Sequence, residues 1–157
     1  MDKLKNITFV LDVDGVMTTG QFVYSKLGKE YKIFGPHDND GLKILKKKIP
    51  IEFITADKKG FAISKKRIVD DMGYNLKLVE SEKRYNYLDK KYNISKVIYM
   101  ADGYYDVEIL SNCLYGIAPN NARVEAKKAA DFVTPSDSAN GAVLDACIKI
   151  KKKFRIK

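Results

Sequence analysis

The chain has no apolar run approaching the ~20 residues that carry a helix across a bilayer. Its opening MDKLKNITFV has no signal-like apolar core before Asp12 interrupts it. Neither a membrane span nor a secretory leader is expected, and the location expected is cytoplasmic. Cysteine is scarce: Cys113 and Cys147 stand alone, far apart, with no CxxC pair and no Cys/His cluster. That excludes a disulfide-stapled secreted scaffold, argues against a zinc site, and leaves two reduced, partly buried thiols. The single histidine, His37, lies in a Gly-Pro loop. There an exposed imidazole is the ordinary reading and contact with substrate the lesser one. Linkers, low-complexity tracts, repeats and composition breaks are also missing, so residues 1–157 read as one globular domain, with 45% hydrophobic content to build its core.

Acidic charge is in deficit, with 29 Lys and Arg against 20 Asp and Glu, a formal +9. The lysines gather in LKKKI (45–49), SKKR (64–67) and KIKKKFRIK (149–157), on helix-like faces and the tail. No aromatic-interleaved basic stripe, RNP-like motif or zinc finger accompanies them. A solvated basic surface that attracts small anions is therefore preferred to a nucleic-acid interface.

What is present is alternation. Strand-like NITFVLD, IEFIT, LKLV, VIYMADG and LYGIAP interleave with helix-like DNDGLKILKKK, KKGFAISKKRIVDDMG, SEKRYNYLDKKY, YYDVEILSN, NARVEAKKAA and a last helix from about Ala139. That is the signature of an α/β fold, a parallel sheet with helices on both faces. One segment breaks the rhythm. QFVYSKLGKEYKIF, about 21–34, reads as a β-hairpin turning at Lys26-Leu27-Gly28-Lys29, which should project as a flap over whatever follows strand 1.

In such sheets ligands bind beyond the carboxyl ends of the strands. The first strand delivers Asp12-Val13-Asp14-Gly15 there, the second Thr55, the fourth Asp102-Gly103 with Asp106 close behind, and Lys83 opens the helix before the fourth. Asp12 and Asp14, two apart on a strand, point the same way, and mutual repulsion needs a reward such as a hard divalent cation. Singly, each residue has a bland reading: Thr55 as a cap, Lys83 as a solvated helix residue, Asp106 as an acid favoured by a helix N-terminus. Together they support phosphoryl transfer to a carboxylate. Asp12 would attack phosphorus to give an aspartyl-phosphate, and Asp14 would protonate the leaving oxygen and later deprotonate water. Mg2+ would be held by Asp12, the Asp14 backbone carbonyl and Asp102. Thr55 and Lys83 would hold the phosphoryl oxygens, and Asp106 would orient Lys83 or a metal-bound water.

DVDGV with Thr55, Lys83 and ADGYYD resembles the four motifs of the haloacid dehalogenase superfamily of phosphohydrolases, over nearly the whole chain. Within it, the early hairpin, FGPHDNDGLKILK and ITADKKGFAISKKR resemble the capless sugar-acid phosphatase branch. That branch acts on 3-deoxy-D-manno-octulosonate 8-phosphate and nonulosonate 9-phosphates, and includes domains fused to acylneuraminate cytidylyltransferases. The resemblance implies a Rossmann-like fold without a cap domain and a 2-keto-3-deoxy sugar-acid phosphate as substrate. It places Asp57 and Lys58 against the sugar acid, with Lys66 and Arg67 near its carboxylate. Two departures stand out: Ala101-Asp102-Gly103 where the branch often has Gly-Asp-Asp, and Ala56 where Gly commonly follows the threonine. A homotetramer is expected, because the hairpin is the only candidate lid and Phe22, Tyr24, Tyr31 and Phe34 are more aromatic surface than a free flap should carry. Alternatives are a nucleic-acid 3′-phosphatase, a non-catalytic oligomeric scaffold, and a phosphoacceptor receiver domain. The last fails for want of an Asp at the end of the third strand.

Overall fold

The computed structural model describes residues 6–157; residues 1–5, where the leader reading begins, lie outside the described residues. The chain runs β1 (Thr8–Asp12), β2 (Thr18–Ser25), β3 (Gly28–Phe34), α1 (His37–Leu45), β4 (Ile51–Thr55) and α2 (Phe61–Lys65). It continues through β5 (Asn75–Leu78), α3 (Arg84–Tyr92), β6 (Val97–Met100), α4 (Val107–Asn112), β7 (Tyr115–Ala118), α5 (Val124–Ala129), β8 (Phe132–Val133) and α6 (Ala142–Lys153). Six strands form one sheet in the order β5-β4-β1-β6-β7-β8, every pair parallel, as the alternation required. The chain leaves β1 toward β4 and β5, then returns to β6 on the opposite side. The carboxyl ends of β1 and β6 therefore face the crevice where the strand order reverses.

Side-chain alternation along β1 divides the core. Phe9 and Leu11 pack with Leu42 and Leu45 of α1 and with Ala146, Cys147 and Ile150 of α6. Val10 points the other way, toward Leu88 of α3, Ile109 and Leu110 of α4 and Ala126 of α5. Helices α4 and α5 have six residues each, too few to persist alone, so burial of these faces holds them in place. Neither cysteine is in a disulfide: Cys147 is buried and Cys113 half-buried. No helix among the described residues is long and apolar enough to cross a membrane.

Three elements differ from the sequence expectation. The hairpin strands start at Thr18 rather than near 21, and Ser25 pairs with Gly28, so the turn is Lys26-Leu27 alone. Phe22, Tyr24 and Tyr31 are exposed on it, whereas Phe34 packs on the core. The helix expected after Gly60 is α2 continued by one wide π-helical turn, Lys66–Asp71, which changes the facing of every side chain beyond Lys65. The last helix begins at Ala142 because Ala139 and Gly141 have φ of 58° and 105°, outside the helical region.

Candidate active site

Asp12 ends β1 buried among backbone and apolar neighbours, and one of its carboxylate oxygens accepts the Val13 N–H at 2.8 Å. Asp102 follows β6 two residues beyond its end, and Asp106 is buried just before α4. Ligand oxygens of Asp12, Asp102 and Asp106 lie within 4.8 Å of one another, the only such Asp, Glu, His or Cys group among the described residues. Gly15 makes this closeness possible. Its φ is +79°, and a Cβ there would lie 2.0 Å from an Asp102 carboxylate oxygen. Burial drives the Asp12 pKa from 3.8 to about 6, with Arg84 pulling it down and Asp106 pushing it up. Burial, then the charges of Asp12 and Asp106, carry Asp102 to about 7. Such a crowd of carboxylates is what a hard, oxygen-seeking divalent cation would relieve.

The cation the structure does supply is Arg84, which the sequence reading missed. Its guanidinium forks onto Asp12, Nη1 to Oδ2 at 3.0 Å and Nη2 to Oδ1 at 3.1 Å, and Nη1 also reaches Asp106 Oδ1 at 2.8 Å. Tyr99, buried in β6, donates its hydroxyl to the same Asp106 oxygen at 2.6 Å. The expected Lys83 does not come to this site. Its side chain is 72% exposed and paired with Glu80 at 2.5 Å. Lys83 lines a separate groove of about 520 Å³ with Leu78, Glu80 and Tyr87. The reason is helical phase: Arg84 lies one turn before the fully buried Leu88 and shares its sheet-facing side, whereas Lys83 does not. That i, i+4 spacing is visible in the sequence and could have distinguished the two neighbours.

Thr55, buried at the end of β4, accepts the Asp57 N–H at 3.1 Å, which leaves its own hydroxyl hydrogen for another acceptor. Asp57 turns toward the hairpin. Lys29 Nζ lies 2.6 Å and Lys32 Nζ 2.8 Å from its Oδ2. Burial works to raise the Asp57 pKa, but the hydrogen bonds from Lys29 and Lys32 prevail and lower it to about 2. Asp14 does not join the acid cluster through its side chain; its Oδ2 meets Lys32 at 2.9 Å. Asp12, Asp14, Phe22, Lys29, Thr55, Ala56, Asp57 and Arg84 enclose a cavity of about 310 Å³, large enough for a small ligand. Lys58 is exposed beside it and does not line it. Lys66 and Arg67 do not reach the cavity either: Lys66 is 69% exposed and paired with Asp71 at 2.9 Å, a consequence of the π turn that carries both residues. The cation that lines the cavity from β3 is Lys29, while Lys32 is buried against Asp14 and Asp57. His37 is exposed at the start of α1 and does not line the cavity.

An aspartate at the central strand's end, a second two residues on, a strand-end threonine and an acid after β6 thus share one rim of the sheet. The chain matches the haloacid dehalogenase-like hydrolases over residues 31–146 and belongs to that family. It is a phosphatase. Among curated proteins, 3-deoxy-D-manno-octulosonate 8-phosphate phosphatase of Haemophilus influenzae is 31% identical over 146 residues, covering 89% of this chain and 80% of the relative. The counterpart in Salmonella typhi is 28% identical over 94% of this chain and 80% of its own. Among solved structures, the Moraxella catarrhalis 3-deoxy-D-manno-octulosonate 8-phosphate phosphatase, in complex with magnesium ion, phosphate ion and KDO, superposes with a TM-score of 0.81. It is 28% identical, over 96% of this chain and 88% of that one. The cobalt-bound Haemophilus influenzae phosphatase gives 0.79 at 25% identity, over 96% and 91%.

Proposed function

We propose that this phosphatase removes the terminal phosphate of an eight- or nine-carbon 2-keto-3-deoxy sugar acid through an aspartyl-phosphate on Asp12. The observation that carries the mechanism is Asp12 itself: buried at the crevice, held by an arginine fork, and opening onto a cavity that also contains Thr55. The similarity to octulosonate 8-phosphate phosphatases supports the substrate class.

The residues divide the work. Asp12 attacks phosphorus as the bond to the leaving oxygen breaks, and Asp14 supplies that oxygen's proton. Asp14 then takes a proton from the water that cleaves the aspartyl-phosphate and restores Asp12. Thr55 has a hydroxyl hydrogen to spare for a phosphoryl oxygen, and Arg84, its fork engaged by Asp12, keeps a second Nη2 hydrogen for another. Arg84 takes the role assigned in the sequence to Lys83. Asp106 and Tyr99 hold Arg84 in place. Asp12 and Asp102, with Asp106 near, have the hard oxygen donors that fit Mg2+, with the Asp14 carbonyl as a further ligand. When bound, the ion would offset the repulsion between anionic nucleophile and anionic phosphate.

The hairpin's exposed Phe22, Tyr24, Tyr31 and Ile33 support a homotetramer in which neighbouring flaps cover these side chains. Light scattering should report about four times the 17.8 kDa chain mass. A phosphate-release screen over 2-keto-3-deoxy sugar-acid phosphates, ordinary sugar phosphates and 3′-phosphorylated DNA tests the substrate. The sugar acids should lead. Preference for DNA ends would overturn the assignment in favour of a nucleic-acid 3′-phosphatase.

A further inference from the structure

Lys32 is a buried cation beside the active site: its side chain has no exposed surface. It reaches from β3 to Asp14 Oδ2 at 2.9 Å, Asp57 Oδ2 at 2.8 Å and Ser64 Oγ at 2.9 Å. An ammonium has three hydrogens, and here each has an acceptor. Lys32 is therefore saturated by the protein and has no donor left for a ligand, unlike Lys29, which lines the cavity. Room for it is made by Gly60, where a Cβ would lie 2.6 Å from Lys32 Cε and 2.2 Å from Asp57 Oδ2.

The other Asp14 oxygen is fixed from β2. Thr18 Oγ1 accepts the N–H of Gly15 at 3.3 Å and of Gly20 at 3.1 Å. With its lone pairs so engaged, its single hydrogen points at Asp14 Oδ1, 3.3 Å away. Each strand of the hairpin thus holds one oxygen of the same carboxylate. The flap is tied into the site through the residue assigned to proton transfer, not through the nucleophile.

We propose that Lys32 is a positioning residue for Asp14, fixing its carboxylate in the orientation that proton transfer to the leaving oxygen needs. The inference rests on the reading of Asp14 as acid and base. As the P–O bond to the leaving group breaks and Asp12 bonds to phosphorus, the Asp14 proton moves to the leaving oxygen, and the new carboxylate remains against Lys32. In the second half, water gives a proton to Asp14, its oxygen bonds to phosphorus, and the Asp12 acyl-phosphate bond breaks.

A role confined to fastening the hairpin would slow every substrate alike. A role through Asp14 depends on how much the leaving group needs a proton. Wild type, Lys32→Met and Thr18→Val should be compared by kcat/KM on an alkyl ester, the sugar-acid phosphate, and on p-nitrophenyl phosphate, whose leaving group departs unprotonated. For Lys32→Met the alkyl ester should fall at least ~10-fold more than the aryl ester, and Thr18→Val should show the same selectivity in smaller measure. In an Asp14→Asn background, Lys32→Met should add less than about twofold. Thr18→Val keeps the inference testable if Lys32→Met does not fold. Equal losses on both esters, or full additivity with Asp14→Asn, would overturn it while leaving the phosphatase reading intact. A wild-type chain that hydrolyses neither ester would overturn that reading and the inference with it.

Discussion

Two groups of aspartates lie at one end of the sheet and experience opposite surroundings. Asp12, Asp102 and Asp106 crowd together, with Arg84 the one cation paired to them among the described residues, and burial raises Asp12 to about 6 and Asp102 to about 7. Beneath the hairpin, Asp57 is also partly buried, yet Lys29 and Lys32 lower it to about 2. The residue type is the same; what differs is the count of cations within reach. The first group is left short of positive charge where a metal and a phosphate would meet. The second is neutralised within the fold and holds the flap. Asp14 also meets Lys32, so the compensated side includes the residue proposed to move protons as well as the one that ties down the flap.

The largest effect should come from the nucleophile. Asp12→Asn keeps the side chain's shape but removes its attacking charge, so phosphatase turnover should fall at least ~10³-fold. Next comes the single cation of the acid cluster. Arg84→Lys retains charge but cannot grip both Asp12 oxygens and Asp106 at once, and a loss of about 10²-fold in kcat is expected. A steady-state assay with saturating Mg2+ checks both.

The pH dependence of stability should separate the two regions by sign. Asp12 and Asp102 have native pKa values above the unfolded 3.8, so the native state binds the excess protons, and their contribution to metal-free stability declines between about pH 4 and about 7. Asp57 has a native value near 2, so its contribution is present above about 4 and is lost as pH falls toward 2. Thermal melts of the metal-free protein should therefore show Tm falling from pH 5 to 7.5. Added Mg2+ should raise Tm more at 7.5 than at 5, because the cation must displace protons at the lower pH. A Tm gain independent of pH would mean the ion binds elsewhere. The smallest effect should be Lys83→Ala. This exposed side chain pairs only with Glu80, and kcat/KM should stay within about twofold of wild type.

How much of this was legible in the sequence varies by residue. The parallel sheet and the carboxylates at its rim were written locally, in the apolar run before Asp12 and again before Asp102, because strand burial and i, i+2 facing need no distant information. The hairpin was legible for the same reason. Arg84 was not read correctly. Choosing between adjacent cations needs helix phase to within one residue, and the phase is set by Leu88 packing on the sheet. Lys66 and Arg67 were misplaced because a π turn inserts where the sequence shows only a continuous helical pattern. Lys29 and Lys32 were hidden among many surface lysines. Only the fold of the hairpin over Asp14 and Asp57 distinguishes them.

The central claim is that Asp12 carries the phosphoryl group. The most direct test is rapid acid quench of the protein during turnover of 3-deoxy-D-manno-octulosonate 8-phosphate with Mg2+, followed by mass analysis of the peptides. A phosphoryl group on the peptide containing Asp12, absent from Asp12→Asn, is the result expected. Undiminished turnover by Asp12→Asn, or phosphorylation on another peptide, would contradict the account.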